Sequence, residues 1–270
     1  MTDTAKLADV ILPATMFLEH DDLYTASGHG RLQVSRKLFE PFAESRSNHE
    51  VVCALAKRLG AEHRGFELSA WAIIDETLKV SGYPGAEQVA LPGGVECIGR
   101  HETTDYRDGF GHADGRFHFR PRWETLGPYA DGMPEWPDHM PTRHESDEGC
   151  PFRLITPPAQ NYLNTSFTET VTSQDKEIRP TLKMHPEDAR QLDVECGNLI
   201  RIGNDLGNLL IQMTCEEGQQ RGVVVVESIW PNSAFREGLG INTLISAEPG
   251  KPAGGGTFHD CHVWIEKATD

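Results

Sequence analysis

Apolar and polar positions change period several times along this chain, and each change marks an element. Between residues 47 and 60, Val51, Val52, Leu55 and Leu59 recur at helical spacing. Ser47 and Glu50 stand at capping-box spacing, Lys57 and Arg58 fall in the last turn, and Gly60 follows. A helix with a packing role is predicted there. Residues 69–80 repeat the pattern, with Trp71, Ile74 and Leu78 on one stripe and Gly82 as the stop. From residue 151 the period shortens. Leu154 and Ile155 run into Thr156-Pro157-Pro158, which stops a buried strand by removing backbone donors and holding φ. A second short strand is expected before Met184. Pro186 suits a first helical position and Glu187 and Asp188 put negative charge at the positive end of the macrodipole, so residues 186–192 are predicted helical. Residues 197–202 and 209–213 flank Asn204-Asp205-Leu206-Gly207 as a β-hairpin. Val223–Val226 reads as a strand buried on both faces, ended by Ser228-Ile229-Trp230-Pro231. The last strand places Cys261, Val263 and Ile265 on one side, with His259 on that side and His262 on the other, so these side chains do not converge on a metal.

Two further stretches carry weaker patterns. Residues 8–12 form an apolar run stopped by Pro13, a strand whose sheet neighbours are expected from a preceding segment, which makes Met1 an expected internal methionine or late start. Ala113-Asp114-Gly115 is a turn sequence with aromatic alternation after it at Phe117 and Phe119, as in a hairpin. Residues 124–150 read as an extended linker.

Composition narrows the class. A chain of 270 residues with 38% hydrophobic and 24% charged residues is globular and long enough for one or two domains. With 41 acidic against 25 basic residues the formal net charge is −16, which repels phosphate backbones and anionic lipid, so nucleic acid is not an expected partner. The six cysteines contain no C-x-x-C pair, which removes zinc ribbons and iron–sulfur ligand runs from consideration. Reduced, mostly structural thiols are expected. His101, His112, His118, His139 and His144 lack both helical i, i+4 spacing and a compact grouping with cysteine, so no metal site is nominated among them. No basic segment followed by an apolar run opens the chain and no stretch approaches the ~18 apolar residues of a spanning helix. A cytoplasmic location without membrane insertion is the expectation.

The strings LITPPAQNYLNTSF, MHPEDA, GINTLISAEP and GGGTFHDCHVWIE, in this order over residues 151–270, resemble the C-terminal dinucleotide-binding domain of the molybdopterin oxidoreductases. That group includes dimethyl sulfoxide reductases, formate dehydrogenases and nitrate reductases. The opening MTDTAKLADVILPATMFLEHDD resembles the stretch closing the family's large α/β domain, with Glu19, His20, Asp21 and Asp22 matching its acidic loop. The fold expected is a mixed α/β fragment followed by an all-β double-psi β-barrel domain with short helices. Residues 1–60 would be the tail of the doubly wound cofactor domain, 61–150 a second α+β segment and linker, and 151–270 a six- or seven-stranded barrel, as the alternating strands and the Pro186 helix suggest.

The function the resemblance implies is binding of molybdopterin guanine dinucleotide carrying Mo or W. Such a ligand presents many donors and acceptors, and a buried polar atom left unpaired costs about 1–3 kcal/mol. Asn161, Asn164, Thr165, Ser166 and Asn242 supply amides and hydroxyls, Thr156, Pro157 and Pro158 shape the approaching loop, and Phe258 follows the glycines at 254–256. These nine residues are the expected cofactor contacts. The family's metal ligand lies upstream, as do its iron–sulfur cysteines where they occur, so no catalytic residue and no metal ligand is nominated in this chain. The expected partners are further N-terminal domains of the same enzyme and an electron-transfer subunit. A free-standing double-psi barrel module binding a nucleotide or a protein without redox activity is the alternative.

Overall fold

The computed structural model describes residues 1–97, 106–140, 149–227, 230–258 and 261–268. His101, His144, Ser228, Ile229 and His259, named above, lie outside the described residues. The chain divides into two compact units, residues 9–117 and residues 1–8 with 118–270.

In the first unit β1 (Asp22–Ala26), β2 (His29–Ser35) and β3 (Val95–Glu96) form an antiparallel sheet. Helix α1 (Asn48–Leu59) has the predicted reciprocal capping box between Ser47 and Glu50, and Gly60 caps its end. Helix α2 (Ala70–Val80) is capped by Ser69 and buries Ile74 and Leu78 against Leu32, Val34, Val89 and Ala86 of the short helix α3 (Ala86–Val89). The Arg36 guanidinium lies 3.4 Å from the centre of the Trp71 ring.

The apolar run at 8–12 has no ladder partner among the described residues: Val10, Ile11 and Leu12 are exposed, and the nearest bridge pairs Ala14 with Arg46. A strand requires a ladder partner, and the one expected for this run belongs to a preceding segment. Two other expectations for residues 48–119 need correction. The α1 face predicted to pack is largely uncovered, with Val52 51%, Leu55 48% and Leu59 81% exposed. Periodicity shows which face is apolar, not what covers it. Around residue 113 the turn forms, with the Phe110 and Gly115 N–H groups donating to the Gly115 and His112 carbonyls, but the flanking ladder does not. Phe117 and Phe119 are exposed.

The second unit is built on β4 (Phe152–Ile155), β5 (Thr181–Met184), β6 (Leu199–Asn204), β7 (Gly207–Cys215), β8 (Val223–Val226) and, after the two-residue ribbon β9 (Pro249–Gly250) and β10 (Gly255–Gly256), β11 (Cys261–Lys267). Six of these close into a barrel in the order β11-β4-β8-β5-β7-β6. Pairs β4/β8 and β5/β7 are parallel, with Leu154 opposite Val224 and Leu182 opposite Met213. The other four pairs are antiparallel. Exchanging β4 with β7, β5 with β8 and β6 with β11 maps this ladder onto itself, so the barrel has the internal twofold of two interlocked three-strand halves. This is a double-psi β-barrel. Leu154, Leu182, Met184, Ile200, Ile202, Leu209, Met213, Val224, Val226, Cys261, Val263 and Ile265 fill it, as the period-two pattern requires.

Two short helices join the strands. Helix α4 (Val171–Glu177) lies in the β4–β5 connection and has no apolar stripe to announce it. Helix α5 (Pro186–Gln191) has Pro186 at its first position and His185 as N-cap, its ring accepting from the Glu187 N–H. The Asp188 side chain is buried and ties α5 to the β7–β8 connection, accepting from the Arg221 guanidinium and, at 2.8 Å, from the Gly222 N–H. Asp188→Ala removes a buried carboxylate and leaves the Gly222 N–H without this acceptor, while the exposed Arg221 guanidinium can turn to water. We expect a loss of about 2–4 kcal/mol, because hydrogen bonds to charged groups contribute about 1.5–3 kcal/mol each. The check is urea unfolding, with a lower midpoint at an unchanged slope. An unchanged midpoint would show the tie to be idle.

Candidate functional site

Pairing direction alone assembles one rim of the barrel. Because β4 and β8 are parallel, their C-terminal ends lie together, and the antiparallel partners β11 and β5 begin beside those ends. β6 ends and β7 begins at the same rim, since β6 runs against β11 and β7 runs with β5. Three connections therefore share it, namely residues 156–180, the turn between Asn204 and Gly207, and residues 227–260. Helix α5 and residues 216–222 occupy the opposite rim.

Specific contacts lock the three connections together. Tyr162, 5% exposed, meets Trp230 edge-to-face with ring centroids 5.0 Å apart, joining the loop after β4 to the loop after β8. The Asn204 amide donates to the Leu244 carbonyl at 2.9 Å, and the Cys261 thiol donates to the same oxygen at 3.2 Å. This pins the 3-10 turn Ile241–Leu244 over the hairpin. Gly207 permits the approach, because a Cβ there would stand 2.7 Å from Thr243 Cγ2. Tyr162, Trp230, Asn204 and Cys261 are rim residues that the motif strings do not single out. An aromatic inside NYLN and another directly after the valine strand are the available signals.

The predicted contact residues fall into three groups. Thr156, Pro157 and Pro158 follow directly from β4 as it leaves the barrel, the first two half-buried. Asn161 is engaged internally, since its backbone N–H and its Nδ2 both donate to Glu177 Oε1, at 2.7 and 2.8 Å. It anchors the loop to α4, which leaves its side-chain oxygen and one amide hydrogen to offer. Asn164, Thr165 and Ser166 sit at the exposed tip, where Leu163 and Ser166 exchange backbone hydrogen bonds of 3.1 and 2.9 Å. Asn164 has φ 53° and Phe167 has φ 70°. Asparagine accepts that left-handed conformation readily and phenylalanine does not, so the tip stores strain. Asn242 is exposed on the pinned 3-10 turn, and Phe258 is 51% exposed. Among the described residues the side chains of Asn164, Thr165, Ser166 and Asn242 have no hydrogen-bond partner. A rim with four uncommitted polar side chains on two braced loops suits a polar, multi-acceptor ligand.

Residues 152–262 match the family model described as the Molydopterin dinucleotide binding domain, and residues 1–58 match that of the Molybdopterin oxidoreductase. The catalytic chain of a putative dimethyl sulfoxide reductase of Halobacterium salinarum is 27% identical over 100% of this chain and 33% of its own length. Probable oxidoreductase YoaE of Bacillus subtilis is 28% identical over 99% of this chain and 39% of its own. The chain thus spans between a third and two fifths of the length of these relatives. Among solved structures, acetylene hydratase from Pelobacter acetylenicus superposes with a TM-score of 0.76 at 18% identity, covering 99% of this chain and 39% of that one. That likeness concerns the fold. The two family matches, in this order, make the chain a member of the molybdopterin oxidoreductase family with its dinucleotide-binding domain at residues 152–262. Among the described residues no helix is long and apolar enough to cross a membrane.

Burial pushes the Cys261 thiol up from 9.0 to about 11, against a smaller opposing contribution from the Asn204 amide. Below about pH 9 both folded and unfolded chains hold this proton. Between about 9 and 11 only the unfolded chain loses it, so stability falls as pH rises through that window. The full effect is about 2–3 kcal/mol. Denaturation of the wild type and Cys261→Ala at pH ~8 and ~10.5 reads it. We expect the wild type to lose more stability across the interval, and equal losses would contradict the assignment.

Proposed function

We propose that this chain is the dinucleotide-gripping portion of a cytoplasmic molybdenum or tungsten oxidoreductase, taking the guanine form of the pterin dinucleotide. The observation that carries the reading is the convergence of residues 161–166 and 240–244, with uncommitted amides and hydroxyls, on one braced rim. In this reading Asn164, Thr165, Ser166 and Asn242 hydrogen-bond the dinucleotide, Thr156 to Pro158 carry the backbone up to it, Asn161 fixes the loop, and Phe258 offers a ring face. When bound, the group supplies metal-centred redox chemistry. The residues of this chain bind and orient it, and the metal ligand and any iron–sulfur cluster belong to other segments of the enzyme.

The domain plan follows from the same reading. Residues 1–60 are the closing part of the doubly wound cofactor domain, 61–150 a second segment and linker, and 151–270 the barrel. The family match over residues 1–58 supports this, and so does the apolar surface there, with Leu12 61%, Phe17 59%, Phe39 60% and Phe42 80% exposed. Surface of that kind marks a docking face, here for the enzyme's other domains. It also disfavours the free-standing module. An electron-transfer subunit is a further proposed partner.

The test is made in the full-length protein containing this chain. Asn164→Ala and Asn242→Ala are expected to lower retained molybdenum or tungsten, and pterin released on denaturation, together. Melting of each apo variant should stay within a few degrees of wild type, because one exposed hydrogen-bonding group is worth about 0.5–1.5 kcal/mol to folding. Full metal and pterin content in both variants would remove the site.

A further inference from the structure

Beyond that site, on the opposite rim, two thiols meet. Gly197 has φ 90°, its N–H donates to the Met213 carbonyl and the Met213 N–H donates to the Asn198 carbonyl, each at 2.9 Å. Two residues thereby oppose one, a β-bulge with glycine in the left-handed position. The bulge ends the β6/β7 ladder and turns Cys196 toward Cys215 across the two strands. The Cys215 N–H donates to Cys196 Sγ at 3.2 Å. Cys215 Sγ also lies 3.9 Å from Met213 Sδ. Cys196 is exposed and Cys215 half-buried. Cys196 precedes β6 and Cys215 ends β7, and the contact of the Cys196 sulfur with the Cys215 N–H puts the two side chains within reach of each other.

We propose that Cys196 and Cys215 are a reversible oxidation site that forms an intramolecular disulfide in response to a peroxide. The exposed Cys196 sulfur attacks one peroxide oxygen, the O–O bond breaks, and a sulfenic acid and one water result. The Cys215 sulfur then attacks the Cys196 sulfur, the S–S bond forms, the S–O bond breaks, and a second water leaves. Two thiols lose two electrons and two protons, and hydrogen peroxide is reduced to two waters. A dithiol reductant reverses the change. The bridge closes the base of the hairpin whose tip, at Asn204–Gly207, braces the candidate rim, so it stiffens the barrel without entering the proposed binding loops.

The whole chain is treated with hydrogen peroxide, alkylated and mapped by peptide mass spectrometry. We expect a Cys196–Cys215 cross-linked peptide, abolished by dithiothreitol, and a melting temperature raised by roughly 5–10 °C. Cys196→Ser, at an exposed position, is expected to melt like the reduced wild type and to show no peroxide-dependent rise. The proposal is overturned by Cys196 carried to sulfinic acid while Cys215 stays alkylable. A cross-link between chains, one joining Cys150 to Cys261 instead, or an undiminished rise in the Cys196→Ser protein would overturn it equally.

Discussion

Two parallel strand pairs inside a closed six-stranded barrel constrain everything else in residues 151–268. Parallel neighbours cannot be joined by a tight turn, so β4 reaches its parallel partner only after the chain has passed through β5, β6 and β7, and each half of the barrel threads through the other. The same direction rule sends the ends of β4, β6 and β8 to one rim. The two longest connections, residues 156–180 and 227–260, gather there with the Asn204–Gly207 turn, while α5 and residues 216–222 lie at the other. At the α5 rim Asp188 is consumed internally by Arg221 and Gly222. At the candidate rim some polar groups brace the loops, as Asn161 does through Glu177 and Asn204 through Leu244. Asn164 to Ser166 and Asn242 remain available.

Much of the barrel is legible in the sequence because its elements satisfy local rules. Pro186 with Glu187 and Asp188 announces α5, the alternation of Leu199 to Met213 announces the hairpin, and Cys261, Val263 and Ile265 face inward as spacing requires. The run Val223–Val226 predicts burial on both faces, and the structure has Val224 and Val226 fully buried with Val223 and Val225 half-buried. What escapes the sequence depends on partners. The run at residues 8–12 is apolar enough for a strand and has no ladder, and α1 has an apolar face with little over it. β1 and β2 are not anticipated, although Leu32 and Val34 alternate with Arg31 and Gln33. A two-residue alternation between polar neighbours is a weak signal. Helix α4 is not anticipated either, because a polar segment without a stripe owes its helix to tertiary context.

The candidate site shows the same division. Motif strings point to both loops, and strand direction then accounts for their meeting at one rim. The roles within a loop are not legible. Asn161 and Asn164 look alike in NYLN, yet one is bound to a carboxylate and the other stands at a strained, exposed tip. The aromatic contact of Tyr162 with Trp230 spans 68 residues of sequence and depends on barrel closure.

The central claim is that the dinucleotide is gripped at the rim where β4, β6 and β8 end. Hydrogen exchange of the full-length holoprotein, compared with the same protein after removal of its pterin, tests it segment by segment. We expect slower exchange in the holoprotein at residues 161–168 and 240–246, and unchanged exchange at residues 186–193 and 216–222. Protection confined to the second pair of segments, or absent from the first, would contradict the claim.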